Sequence, residues 1–358
     1  MGHTAPARAR TRYRRSRGAL ALLALACLAG CTAAEHDTSP SGTAASPSGT
    51  VTPQAGTATP SQERLGAVSW PADGTSAADV SGYGVVDGPG ASRPVPIASV
   101  AKLMTAYVIL HDHPLPAGGP GPDITVESSE AAAYPSQARD GDSLVAVAAG
   151  EEISERHALE ALMLPSADNM AWILARWDAG SQAAFTAKMN ATAGRLGMTG
   201  TSYSDASGLD PATTSTAADQ VRLGMAAMHV PALAEIVALP TAVVPVAGVI
   251  RNTNKLLGQD GIAGLKTGST QAAGGCLLVA AWTQAARHKT LIVAAVLGQP
   301  GTAGTILANA LQAGHNLVLA LDRALGAGTQ SGSRHDSEDV RLRVVDPRLE
   351  HSRLPLPP

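Results

Sequence analysis

The chain is short of three things: apolar runs long enough to span a bilayer, lysine, and cysteine. The apolar run ALALLALACLAG at residues 19–30 falls short of the roughly 20 residues that a membrane-spanning helix needs. It suits instead the core of a signal peptide. Arg8, Arg10, Arg12, Arg14, Arg15 and Arg17 form its basic flank, and no acidic residue precedes Cys31. Losing those six arginines with the signal would take the formal net charge from −3 to −9, which argues against nucleic acid as a partner. No internal repeat is visible. What is present is apolar content: 45% of 358 residues are hydrophobic and 15% charged, enough to bury a sizeable core.

The apolar run ends in LAGC, Leu28 to Cys31. This resembles a bacterial lipobox, which implies cleavage before Cys31 and a lipid on its new N-terminus. The plainer alternative is an ordinary small-residue cleavage site with an incidental cysteine. Cys27 would leave with the signal and Cys31 would be acylated, so Cys276 stands alone and no disulfide framework is expected. Cys276 sits in an apolar run and reads as a packed core thiol. Residues 32–63 are rich in Ser, Thr, Pro, Gly and Ala and cannot recover ordering entropy by burial. They read as a tether holding a folded domain off a membrane.

Order is expected from about Leu65. The short apolar patches GAVSW and GYGVV read as strands, and SVAKLMTAYVILHDH at residues 99–113 as a helix, with Val100, Leu103, Met104, Tyr107 and Leu110 at helical spacing. His111 and His113 close that helix, where cations are favourable, and read as structural. Further helices are expected at 154–164, 168–178, 181–196 and 216–228. AVVPVAG, GIAGLKTG, GGCLLVAAWT and TLIVAAVLGQ then read as strands, the last two as a hairpin, before a final helix at about 303–326. The expected organisation is a signal at 1–31, a linker at 32–63, one catalytic unit with two lobes at 64–326, and a polar tail at 327–358. Its fold class is α+β, an antiparallel sheet flanked by helices with an inserted all-helical subdomain.

Three short motifs carry chemistry-bearing residues. In SVAK, Ser99 and Lys102 lie three apart on one helix face, close enough for the amine to take the hydroxyl proton. Such pairs arise often by chance, yet lysine occurs only five times here, at 102, 188, 255, 266 and 289. An amine within VA-LMTA is therefore poor decoration. In KTG, Lys266 and Gly268 point to one face of a strand and Thr267 to the other. Gly268 admits close approach of a backbone or ligand, and the Lys and Thr suit an anionic carboxylate. The third motif is PSADNM at 165–170, between two helices, where Ser166 is either a helix cap or a hydroxyl aimed into a cleft.

SxxK, then Ser-x-Asn, then KTG is the set carried by penicillin-binding proteins and class A β-lactamases. With IASVAKLMTA, ALMLPSADN, MNATAGRLGMTGTSYSDASGLD, STAADQ, NTNKLL and GLKTGSTQAAGGCLLVAA, the chain from about 95 to 300 resembles the serine D-alanyl-D-alanine carboxypeptidase family. The resemblance implies the β-lactamase/DD-peptidase fold and an acyl-enzyme on Ser99. Lys102 is then the general base, Lys266 keeps Lys102 neutral by repulsion, and Ser166 relays a proton to the leaving group. It further implies an oxyanion hole from the backbone N–H groups of Ser99 and Ser269, and a carboxylate seat at Lys266, Thr267 and Gly268. The implied partners are peptidoglycan stem peptides and β-lactams as covalent inhibitors, with no metal or cofactor.

Two departures stand out. Asp168 occupies the position where the family has Asn, with Asn169 one place late, and an ionised Asp cannot donate to a substrate carbonyl. Either residue, or a protonated Asp168, could serve as the substrate ligand. Second, Glu235 is the only Glu between Ser166 and Lys266 and lacks the E-x-x-x-N context of class A β-lactamases. A class A-like β-lactamase and a degenerate muropeptide- or β-lactam-binding protein are the competing readings.

Overall fold

A computed structural model describes residues 65–116, 118–284 and 288–341. The signal segment with Cys27 and Cys31, the linker at 32–63 and the end of the tail, 342–358, lie outside the described residues.

The described chain opens with strands β1 (Thr75–Val80), β2 (Gly84–Asp87) and β3 (Val95–Pro96), then a 3₁₀ turn at Ala98–Ala101 that runs into α1 (Lys102–Asp112). β4 (Asp123–Thr125), α2 (Ser128–Asp140) and β5 (Glu152–Ser154) lead to α3 (Glu155–Met163), α4 (Asp168–Ala179) and α5 (Gln182–Arg195). After β6 (Thr214–Ser215) come α6 (Ala217–Met228), α7 (Pro231–Val237) and the hairpin β7 (Thr241–Val244) and β8 (Gly248–Arg251). The chain closes with β9 (Ile262–Thr270), β10 (Gly274–Thr283), β11 (Thr290–Gln299) and α8 (Ile306–Arg341). Among the described residues no helix is long and apolar enough to cross a membrane.

The main sheet has the order β2-β1-β11-β10-β9, and every pair is antiparallel. The first strand thus inserts beside the last, which closes the chain on itself. Strand residues alternate between two cores, as a two-residue period requires. On β10, Leu278 and Ala280 face the helical lobe, whereas Leu277 and Val279 face α8. On β11, Val293, Ala295 and Leu297 face the lobe, and Ile292, Ala294 and Val296 pack with Leu317 and Leu321 of α8. The fold is α+β, as expected, with a helical subdomain inserted between β3 and β9. β9 is left at the sheet's edge, beside the 3₁₀ turn that carries Ser99.

Several elements depart from expectation. GAVSW is not a strand; the first strand is TSAADV, β1, buried on both faces between β2 and β11. Its small residues lack the β-branched alternation that marks strands. α2 contains Pro135 and buries none of its residues, so it offered no apolar period; a reciprocal capping box between Glu127 and Glu130 starts it. The short α7, with Pro231 in its first turn, likewise lies outside the helices expected from sequence. α8 continues to Arg341, fifteen residues past the expected end, through a stretch with no apolar stripe. Cys276 is buried in the sheet, and burial pushes its thiol up to about 12, as suits an inert core residue. His113 packs against the Trp177 ring, and its Nε2 lies 3.1 Å from Asp178 Oδ1, a structural role.

Candidate active site

Ser99 lies in the 3₁₀ turn and Lys102 begins α1, so one turn of helix brings hydroxyl and amine together. Lys102 Nζ is 2.7 Å from Ser99 Oγ, 2.6 Å from Asp168 Oδ1 and 2.9 Å from the Ser207 carbonyl oxygen. Ser99 remains half-buried and reachable, whereas Lys102 is 0% exposed. Burial pulls the Lys102 amine below the usual lysine range, while Asp168, Asp205 and Asp142 pull it back up.

The edge strand β9 supplies the second wall. Gly268 meets the start of the 3₁₀ turn so closely that an added Cβ would lie 2.9 Å from Val100 N and 3.0 Å from Ser99 N. Only glycine fits, and its lack of a side chain lets β9 press against the 3₁₀ turn that carries Ser99. Lys266 is 1% exposed, and its Nζ donates to the Thr267 carbonyl at 3.0 Å. Burial and the neighbouring Lys102 charge hold this amine well below the ordinary lysine range, against a smaller upward pull from Asp168. Repulsion between two amines is mutual; the one with a carboxylate partner keeps its proton better. Both amines are therefore held below the ordinary lysine range, Lys102 with a carboxylate in contact and Lys266 with only a carbonyl.

The turn between α3 and α4 is tied to both walls. Thr253 N donates to the Leu164 carbonyl at 3.0 Å, and Thr253 Oγ1 lies 2.6 Å from Thr267 Oγ1. Two residues after Ser166, Asp168 reaches Lys102. Ser166 is thus held between the strand and the helix that follows Ser99. It adopts a left-handed φ of 68°, and its buried Oγ has no hydrogen-bond partner among the described residues. It does not cap α4, whose N-cap is Ala167 without a side-chain bond. An unpaired hydroxyl in a strained backbone costs stability, which is common where a group awaits a ligand.

Asn169 does not enter the cleft: its Nδ2 donates to the Val145 carbonyl at 2.8 Å, and its Oδ1 accepts from Val145 N at 3.3 Å. Glu235 is engaged elsewhere: it is exposed on α7 and accepts from Arg156 Nη2 at 2.9 Å. Three partners had no role assigned from sequence: the Ser207 carbonyl, the Ser143 N–H that donates to Asp168 Oδ2, and the Thr253 hydroxyl. The first lies in SDASGLD, whose Asp205 accepts bonds from the Ser207, Gly208 and Leu209 N–H groups and so shapes the loop. Asp-Ser-Gly clustering is a turn signal, but not a signal of what the turn touches.

Residues 84–301 match the family described as D-alanyl-D-alanine carboxypeptidase, a span that holds all three motifs. The chain belongs to that family. A D-alanyl-D-alanine endopeptidase of Pseudomonas aeruginosa is 36% identical over 192 residues, which are 52% of this chain and 59% of that protein. A D-alanyl-D-alanine carboxypeptidase of Mycobacterium tuberculosis is 33% identical, over 57% of this chain and 68% of its own length. The crystal structure of the Streptomyces K15 DD-transpeptidase shares the fold at a TM-score of 0.61 and 23% identity, covering 71% of this chain and 98% of that one. This chain therefore spans about three fifths of the Pseudomonas relative, so family membership places the three motifs in one known frame without fixing the reaction.

Proposed function

We propose that the protein is a penicillin-sensitive serine D,D-carboxypeptidase that removes the terminal D-alanine of peptidoglycan stem peptides. One observation carries the reading: a reachable Ser99 hydroxyl 2.7 Å from the amine of a fully buried Lys102, with strand β9 pressed against its turn. A serine hydroxyl is a weak nucleophile until an adjacent base accepts its proton, and a desolvated lysine is such a base. Ser99 Oγ attacks the carbonyl of the penultimate D-alanine as Lys102 takes its proton. The oxyanion forms between the N–H groups of Ser99 and Ser269. Ser166 passes the proton to the departing amine, so D-alanine leaves neutral at nitrogen, and its carboxylate sits against Thr267 and Lys266. Water then attacks the ester, which restores Ser99 and releases the shortened peptide.

A β-lactam enters the same steps but leaves no detached fragment, so its acyl-enzyme persists. The engagement of Glu235, the only Glu between Ser166 and Lys266, by Arg156 supports slow deacylation over β-lactamase activity. The expected result is a stable mass adduct after penicillin exposure and D-alanine release from a diacyl-D-Ala-D-Ala peptide, both lost in Ser99→Ala. An intact-mass spectrum with no adduct, or one gone within seconds, would sink this reading. Turnover lacking in both wild type and variant, with penicillin still retained, would favour a binding protein.

A second reading is an endopeptidase acting on D-alanyl cross-links, favoured by the Pseudomonas relative being named a D-alanyl-D-alanine endopeptidase. Release of monomers from cross-linked muropeptide dimers separates the two. The chain architecture belongs to the same proposal: a signal at 1–31, a lipid on Cys31, a linker at 32–63, a catalytic unit at 64–326 and a tail at 327–358, acting outside the cytoplasm. Cys31→Ala should shift the protein from membrane to soluble fractions.

A further inference from the structure

Asp168 has no free oxygen to offer a substrate. Its Oδ1 lies 2.6 Å from Lys102 Nζ, and its Oδ2 accepts from Ser143 N at 2.8 Å. The same two residues bond again through the backbone, where Asp168 N donates to the Ser143 carbonyl at 2.6 Å. The side chain is 1% exposed as a residue, and it carries no N–H with which to reach a peptide carbonyl. Asn169 is equally committed, to both backbone groups of Val145. The segment from 143 to 145 thus clamps both residues that could have served as the motif's amide donor.

The two buried amines of the site differ in one respect. Lys102 has a carboxylate in contact, whereas Lys266 has only a carbonyl. The charged groups around Lys102 are Asp168 from α4, Asp205 from the loop before β6, Asp142 from the loop after α2, and Lys266 from β9. Of these only Asp168 is bonded to it. A neutral Lys102 can donate to Asp168 Oδ1 and the Ser207 carbonyl while its lone pair accepts from Ser99 Oγ. The charged form donates to all three. The same geometry serves both protonation states, so the charge of Asp168, the one carboxylate bonded to this amine, favours the charged form against the cost of burial.

We propose that Asp168 is a positioning residue: the counter-ion of Lys102, which sets the pH above which that amine is free to take the Ser99 proton. This rests on the acyl-enzyme reading above, though the pairing itself does not. A carboxylate stabilises the ammonium form, so its presence moves the active range upward in pH and leaves a stronger base once the proton is lost. Asp168→Asn keeps an oxygen for Lys102 and removes the charge.

The test is direct because the full chain has five lysines. Carbon-13 at the lysine ε position gives few signals, assigned by their loss in Lys102→Arg and Lys266→Arg. In Asp168→Asn the Lys102 midpoint is expected about one to three pH units lower than in wild type. The acid limb of Ser99 acylation by a chromogenic β-lactam should move down by the same amount, with KM for peptide changed less than about twofold. An unmoved or raised midpoint overturns the proposal, as does a KM increase of about tenfold with an unmoved limb, which would make Asp168 a substrate ligand. If Asp168→Asn does not fold, the wild-type spectrum decides: Lys102 must titrate above Lys266, and the opposite order refutes the pairing. Absence of acylation at every pH would remove the peptidase reading while the titration still judged Asp168.

Discussion

Glu155 is the residue outside the site whose chemistry is most exposed to test. Both carboxyl oxygens are buried without a hydrogen-bond partner among the described residues, beneath Gly121. An added Cβ at Gly121 would lie 2.7 Å from Glu155 Oε2, so no larger residue fits above it. Burial pushes this carboxyl up from 4.5 to about 7. The folded state then holds the proton more tightly than the unfolded chain. Its contribution is fully present below pH 4.5 and is lost as pH rises through about 7. Glu155→Gln should flatten that part of the stability profile, raising stability above pH 7 by on the order of 1 kcal/mol for a group covered only by a loop. Thermal unfolding across pH 4–9 checks this; parallel profiles for the two proteins would refute it. At the same scale, Ser99, Lys102 and Lys266 were legible because each belongs to a short motif whose spacing is itself the signal. Asp168 was not, because its partner lies 66 residues away and its oddity in sequence says nothing of what it faces.

At the scale of elements, the site depends on how tightly β9 meets the 3₁₀ turn. Gly268→Ala would press a methyl group onto the backbone at Val100 N, Ser99 N and the Ile97 carbonyl, all within 3.1 Å. Backbone atoms at a helix start cannot rotate aside as a side chain could. The expected result is a loss of about 10²-fold in the acylation rate, as follows from moving a nucleophile by a fraction of an ångström to an ångström. The circular dichroism spectrum should remain that of the wild type. Retention of full acylation would show that the strand and turn can part without harm. Helices with an apolar face, such as α4 and α6, were readable from period alone. α2 was not, because it buries nothing and contains Pro135. β1 was missed for the opposite reason: it is buried on both faces, with residues too small to mark a strand.

Across the whole molecule, stability rests on a sheet covered on both faces. α8 lays Leu317 and Leu321 against Leu277, Val279, Ile292 and Val296, while the other face supports the helical lobe and the site. Leu321 is fully buried, so Leu321→Ala should cost about 2–5 kcal/mol through lost contact and a residual cavity. Urea unfolding measures it. A cost below about 1 kcal/mol would mean that α8 is a peripheral cover, not half of the core. The site lies on the opposite face, so acylation by a β-lactam at low temperature should persist in this variant.

Local chemistry therefore accounts for the Ser99–Lys102 contact, the placing of Lys266 and Thr267 on β9, and the alternating strands β10 and β11. Each is a pattern contained within ten residues, where covalent spacing already constrains geometry. Asp168 and Asn169 sit side by side, yet folding turns one to Lys102 and Ser143 and the other to Val145. No local rule separates them, because the choice depends on which backbone groups the 143–145 segment presents once α1 and α4 have packed. The charge balance around Ser99 is likewise a property of burial and of distant partners. A lysine's proton is held or lost by what surrounds it, and only the packed structure brings those surroundings together.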